Sequence, residues 1–183
     1  MAEDWPKIRA RRTTRVSPWV ELIERDVEFA PGEPVQVYHA VGQADYIAIL
    51  AITPDGRIPI VRQYRPALEA FTWELPAGLV DPGEDPAETC RRELLEETGF
   101  TTRSVRALGS NVPCSGRLSN RVHSFFVETG ERSTDFTPER DLTVDVITQT
   151  ELVRLIKAGE FVQQLHIGTL LMAELQSLLK LPR

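Results

Sequence analysis

Cysteine, histidine, basic charge and long apolar runs are all in short supply in this chain, and each shortage closes off a class of function. Two cysteines in 183 residues cannot make the disulfide framework that staples small secreted domains. The three histidines, His39, His123 and His166, are too scattered to gather around zinc. No run of about 18 apolar residues exists to cross a bilayer. The start, MAEDWPKIRARR, lacks the apolar core of a secretory signal, so the expected compartment is the cytoplasm. Lys and Arg number 21 against 27 Asp and Glu, a net charge of −6. That balance argues against sequence-independent nucleic-acid binding, which needs a basic face to displace counterions. Repeats, low-complexity tracts and linkers are missing too, so residues 1–183 are expected to form a single domain with a sizeable core.

What is present is concentrated between Gly78 and Phe100, GLVDPGEDPAETCRRELLEETGF. Asp85 suits an N-cap and Pro86 the first helical position; Glu88 completes a D-P-A-E capping box and Gly99 is a ready stop. Ala87, Cys90 and Leu94, at i, i+3 and i+7, give an apolar stripe. Glu93, Glu96 and Glu97, at i, i+3 and i+4, project together from the C-terminal end, where the helix dipole is already negative. Acid there costs on the order of 0.3–1 kcal/mol per charge, and Glu93 and Glu97 repel by roughly 0.2–0.5 kcal/mol. A hard divalent cation would offset this, since Mg²⁺ is held by a few carboxylates and keeps its other positions for water and phosphate oxygens. A solvated acidic face is the alternative. The placement of the acids against the dipole, beside a buried stripe, favours the cation.

Taken in order, the chain opens with an Arg-rich stretch, residues 1–17, expected as an exposed arm that is partly disordered at its very start. WVELIERDVEF and VQVYHAV, separated by PGE, read as an N-terminal hairpin. YIAILAIT (46–53) and RIPIVRQY (57–64), joined by the turn residues PDG, read as central strands of one sheet. TWEL (72–75), SVRALGSN (104–111), VHSFFVE (122–128) and TVDVIT (143–148) complete the strands. Residues 129–141 read as a polar surface loop. A short helix capped by Thr150 stops at Gly159, and 166–180 forms a closing amphipathic helix. The mixture points to an α/β fold with helices on both faces of a mixed sheet.

The spacing G-x5-E-x7-R-E-U-x-E-E-x-G-U, with U bulky and apolar, is filled by Gly78, Glu84, Arg92, Glu93, Leu94, Glu96, Glu97, Gly99 and Phe100, and it resembles the Nudix box. That resemblance implies the Nudix α/β/α sandwich. The hairpin ahead of the sheet further resembles the ADP-ribose pyrophosphatase branch, whose members are commonly homodimers that exchange this N-terminal segment, here residues 1–45. It implies a Mg²⁺-dependent or Mn²⁺-dependent hydrolase. Such an enzyme cleaves the pyrophosphate of ADP-ribose or a related nucleoside diphosphate sugar by water attack on phosphorus. GDP-mannose or ADP-glucose is a rival substrate, and a non-catalytic nucleotide-binding module a rival class.

Carried over residue by residue, the resemblance makes Glu93 and Glu97 the leading metal ligands, with Glu96 and the Ala77 carbonyl beside them. Arg92 orients carboxylates, Glu84 included. The general base is expected at Glu139 or Asp141 on the 129–141 loop, or at Glu96 or Glu97 in the box. Arg65 matches a diphosphate contact, with a structural arginine the alternative. Trp19 and Tyr38, on facing strands of the hairpin, match aromatics that sandwich the base; core packing is the alternative. Glu74 supports the ribose or pairs with an arginine. Ser115 and Asn120 stand where many bacterial relatives carry the Pro and Glu of P-G-x-x-x-E, which removes one carboxylate from the metal set.

Overall fold

The computed structural model describes residues 5–182, which fall into two compact units. The disorder expected at the very start concerns residues outside those described.

One unit comprises the chain up to Ala44 together with Val112–Arg121. Its strands β1 (Lys7–Arg15), β2 (Glu21–Glu28) and β3 (Gln36–Gly42) form an antiparallel sheet in the order β1-β2-β3. The expected hairpin therefore has a third strand, and the Arg-rich stretch is that strand rather than a free arm. Apolar alternation does not hold it. Arg12 lies opposite Glu24 in the register, and its guanidinium donates to both Asp26 oxygens at 3.0 and 2.7 Å, while Arg9 pairs with Glu28. Cross-strand ion pairs of this kind stabilise a sheet in place of buried surface. Residues 112–121 run along β3: Val41 N–H donates to the Arg117 carbonyl at 2.7 Å and Ser119 N–H to the Val41 carbonyl at 3.1 Å.

The other unit, Asp45–Asn111 with Val122 onward, carries β4 (Tyr46–Ile52), β5 (Ile58–Arg65), β6 (Ala70–Glu74), β7 (Ala77–Leu79), α1 (Pro86–Thr98), β8 (Phe100–Asn111), β9 (Val122–Arg132), β10 (Leu142–Ile147), α2 (Gln149–Ala158) and α3 (Gln164–Leu175). A mixed sheet runs β7-β4-β9-β8, with β4 and β9 parallel, and an antiparallel sheet runs β10-β5-β6. The PDG turn does form, with Thr53 N–H on the Arg57 carbonyl at 2.9 Å. Its two strands nevertheless part into different sheets instead of pairing as expected. β4 is apolar along its length because both faces are covered. Ile47, Ile49 and Ala51 pack with Phe125 and Val127 against Cys90 and Leu94 of α1. Leu50, on the other face, joins Ile58, Ile60, Leu152, Leu155, Leu170 and Ala173. Helices thus lie on both sides of the sheet, the α/β/α layering expected.

Several boundaries move. Thr148, not Thr150, caps α2, in a reciprocal capping box with Glu151. α3 begins at Gln164 and ends at Leu175, earlier at both ends than expected. β9 continues to Arg132, so the polar loop narrows to residues 133–141. Among the described residues no helix is long and apolar enough to cross a membrane.

Candidate active site

α1 is closed at both ends by the residues that announce it. Asp85 accepts from the Ala87 N–H at 2.8 Å, and Gly99, at φ 76°, donates its N–H to the Leu95 carbonyl. The expected capping box does not form: the Glu88 N–H bonds the Asp85 carbonyl instead of its side chain, and the Glu88 carboxylate turns to Arg91 at 2.7 Å. The loop before the helix is tied to its middle. Arg92 binds Glu84 through Nε and Nη2 at 3.2 and 3.0 Å, and this pairing holds the Glu84 carboxyl at about 2. Through Nη1 the same guanidinium reaches Glu93 at 2.8 Å and Glu96 at 3.2 Å.

Two of the three box glutamates are brought onto consecutive residues of β7. The Ala77 N–H donates to Glu97 Oε2 at 2.9 Å. At Gly78 an added Cβ would collide with the Glu93 carboxylate, so the glycine is the space in which Glu93 lies. β7 is held in turn by β4, Ile47 opposite Gly78 and Ala48 opposite Ala77. Burial raises the Glu93 carboxyl above its usual range against the pull of Arg92. Burial, with Glu93 and Glu74 adding repulsion, pushes Glu97 up to about 8 despite the Ala77 N–H and the more distant Arg65. Burial is the larger cause at both, and a cation seated there would lower the proton affinity of each.

Glu96 is more exposed and is drawn toward Arg92. Among the described residues, no three His, Cys, Asp or Glu side chains stand together as a finished metal cage. The residues still fit a divalent cation: their donors are hard carboxylate oxygens, one guanidinium, Arg92, is shared among Glu84, Glu93 and Glu96, and a glycine keeps the ground beside Glu93 clear. Ala77, expected through its carbonyl, enters here through its N–H.

Arg65 and Glu74 form one pair. Glu74 is 1% exposed and accepts from Arg65 Nε at 2.8 Å and Nη2 at 2.5 Å, and from the Thr72 hydroxyl at 2.5 Å. Burial alone would raise its pKa, but Arg65 and Thr72 outweigh it and hold the carboxyl below the usual range. Of the two readings of Glu74, the pairing with an arginine is the one seen. Next to it the Leu75 N–H donates to His166 Nδ1 at 3.1 Å, and burial pushes His166 down to about 4.

Glu139 and Asp141 lie on the exposed 133–141 loop, where the Glu139 carbonyl accepts from the Leu142 N–H at 3.0 Å. Trp19 and Tyr38 belong to the other unit and are not on facing strands: Trp19 precedes β2, and Tyr38 lies opposite Arg25. Tyr38 donates to the Gly116 carbonyl at 3.2 Å and has Arg117 stacked 5.5 Å from its ring centre. Tyr38 and Arg117 line a cavity of about 300 Å³ with Leu22, Val37 and His39, and Trp19 is not part of its lining. Asn120 is buried and donates to the Ala44 carbonyl at 3.1 Å, anchoring the 112–121 segment. Sequence reasoning missed the Ala77 N–H and also Arg132, which donates from Nε to the Thr98 carbonyl at 2.9 Å at the end of α1. For Arg132 a signal existed, since α1 has no basic residue in its last turn and its carbonyls call for one from elsewhere.

Residues 43–164 match the NUDIX domain. An ADP-ribose pyrophosphatase of Bacillus subtilis (strain 168) is 30% identical over 144 residues, covering 77% of each chain. Another, of Mycobacterium tuberculosis (strain ATCC 25618 / H37Rv), is 32% identical over 154 residues, 81% of this chain and 74% of the relative. In fold, the crystal structure of an ADP compounds hydrolase superposes with a TM-score of 0.80 at 20% identity, covering 98% of this chain and 100% of that one.

Proposed function

The chain belongs to the Nudix family of pyrophosphohydrolases, in its ADP-ribose pyrophosphatase branch, and on that premise we propose that it hydrolyses ADP-ribose or a closely related nucleoside diphosphate sugar with Mg²⁺ as its divalent cation. The products are a nucleoside monophosphate and a sugar phosphate. The observation that carries the reading is the placing of Glu93 and Glu97 on neighbouring residues of β7, with Gly78 leaving room for the first and the Ala77 N–H orienting the second.

Glu93 and Glu97 would hold the cation, and Glu96, released from Arg92, would join them. When bound, it supplies neutralisation of the diphosphate and acidification of water. The remaining work falls to this chain's own groups. Arg92 keeps Glu93 and Glu84 in place. Glu74 holds Arg65 by Nε and Nη2, which leaves the guanidinium's other edge to meet diphosphate oxygens. The attacking water gives its proton to Glu139, or to Asp141 in its stead. Its oxygen bonds to phosphorus as the bridging P–O bond breaks, and the bridging oxygen departs on the second phosphate. Base recognition falls to Tyr38 of the N-terminal sheet and Trp19 just ahead of β2. The reading carries with it a cytoplasmic location and a homodimer built through that sheet, with no nucleic-acid or membrane partner.

The test is a panel of nucleoside diphosphate sugars and dinucleotides, incubated with Mg²⁺, with Mn²⁺ and with a chelator, and with products identified by mass. AMP and ribose 5-phosphate should appear from ADP-ribose only when metal is present. Glu93→Gln should lower kcat by about 100-fold or more while leaving the folded state intact. Silence across the whole panel, or full activity in folded Glu93→Gln, would overturn the assignment.

A further inference from the structure

The C-terminal end of α1 is served by a residue from another strand. Arg132, the last residue of β9, donates from Nε to the Thr98 carbonyl at 2.9 Å, immediately after Glu97. Its guanidinium lies between two rings, 5.4 Å from the centre of Phe100 and 5.2 Å from that of Phe136. The next residue, Ser133, donates its N–H to the Gly99 carbonyl at 2.8 Å, and the Phe136 N–H returns to the Ser133 carbonyl at 3.4 Å. The Phe136 ring fills the place that a Cβ on Gly99 would take. Gly99 therefore serves two ends: its positive φ stops the helix, and its bare Cα seats the ring. Beyond Phe136 the chain is exposed until the Glu139 carbonyl meets the Leu142 N–H at the start of β10. A nine-residue polar loop is thus fixed at its root to the helix that carries the box glutamates.

Resting on the function proposed above, we infer that Arg132 and Phe136 are positioning residues: they clamp the 133–141 loop to the end of α1 and act on the reaction through the loop carboxylates, Glu139 or Asp141. Neither residue touches substrate. The loop supplies the carboxylate and α1 supplies the metal-binding glutamates, so the clamp fixes the two sets relative to each other. Displacements of about 1 Å between such groups can cost on the order of 100-fold in rate.

Two measurements test this. Hydrogen exchange needs no turnover: Phe136→Ala and Arg132→Gln should speed exchange across 133–141 by about tenfold or more while the β4 and β9 amides stay protected, whereas Phe136→Tyr should exchange like wild type. In the hydrolysis assay Phe136→Ala and Arg132→Gln should lower kcat by about tenfold with KM changing less than about threefold, whereas Phe136→Tyr should keep the wild-type kcat. Combined with Glu139→Gln or Asp141→Asn, Phe136→Ala should cost nothing further in one of the two backgrounds, the one lacking the carboxylate it positions. Unchanged loop exchange, or a kcat loss that adds in full to both carboxylate variants, would overturn the clamp. Failure of the function itself would instead show as an inactive wild type, with the exchange measurement still deciding whether the loop is held.

Discussion

Acidification should weaken this fold through His166 in a way that one substitution can isolate. The imidazole is 3% exposed and accepts the Leu75 N–H on Nδ1; protonating Nδ1 would remove that acceptor and set two N–H groups against each other. Burial pushes the ring down from 6.5 to about 4, with Glu74 pulling it up and Arg65 pushing it further down. The native state therefore binds fewer protons than the unfolded chain between those two values. Its stability rises with pH through that window and is lost as pH falls. Between about pH 7 and about pH 5 the loss from this one group comes to about 2 kcal/mol, or about 4–8 °C in Tm for a chain of this size. The carboxylates held low by arginines, such as Glu84 and Asp26, lose their contribution at lower pH, and Glu97, raised from 4.5 to about 8, acts with the opposite sign across the same pH range. Those contributions are common to wild type and His166→Asn, whose side-chain oxygen can take the Leu75 N–H and does not titrate. Urea unfolding followed by tryptophan fluorescence at about pH 7, 6 and 5 should show wild type losing about 2 kcal/mol more than His166→Asn. Equal losses in the two proteins would refute the reasoning, whatever their absolute stabilities.

Gly78→Ala should leave thermal stability within about 1 kcal/mol yet lower metal-dependent turnover by on the order of 100-fold, because the methyl occupies the place of the Glu93 carboxylate; normal kcat would show that this place is immaterial. Gly99→Ala should destabilise the fold by about 1–3 kcal/mol in urea, since it puts a side chain at φ 76° and against Phe136; a neutral effect would deny the seat described for the ring. Titration of the native protein with an aromatic disulfide should release one equivalent of thiolate, from exposed Cys114, and a second only on unfolding, because burial pushes the Cys90 thiol up to about 12. Two fast equivalents would mean that the α1 stripe opens readily.

The parts legible in the sequence are those set by neighbours along the chain. Asp85, Pro86 and Gly99 mark α1 because caps act within a turn, and the glutamates share a patch because helical spacing places them there. Pairing at long range was less visible. The strands on either side of the PDG turn are both apolar where they flank it, so nothing in the turn itself tells that one belongs to each sheet. The Arg-rich β1 hides because its partners, Glu24, Asp26 and Glu28, become partners only once β2 lies beside it. Arg65 with Glu74 was readable as an alternative. Glu97 on the Ala77 N–H was not, since a backbone amide has no letter of its own.

Gly78 gives that last point a wider reach. The box glutamates are carried by a helix, but the seats of Glu93 and Glu97 are cut into a three-residue strand whose contribution is one amide and one missing side chain. Drift in the helix would be noticed as a changed acid. Drift in β7 would pass almost unseen, except at the single residue where any letter but glycine fills a neighbour's place. Elsewhere side chains can be exchanged for others of like size, while the strand beneath the glutamates behaves as a mould whose shape is its whole content.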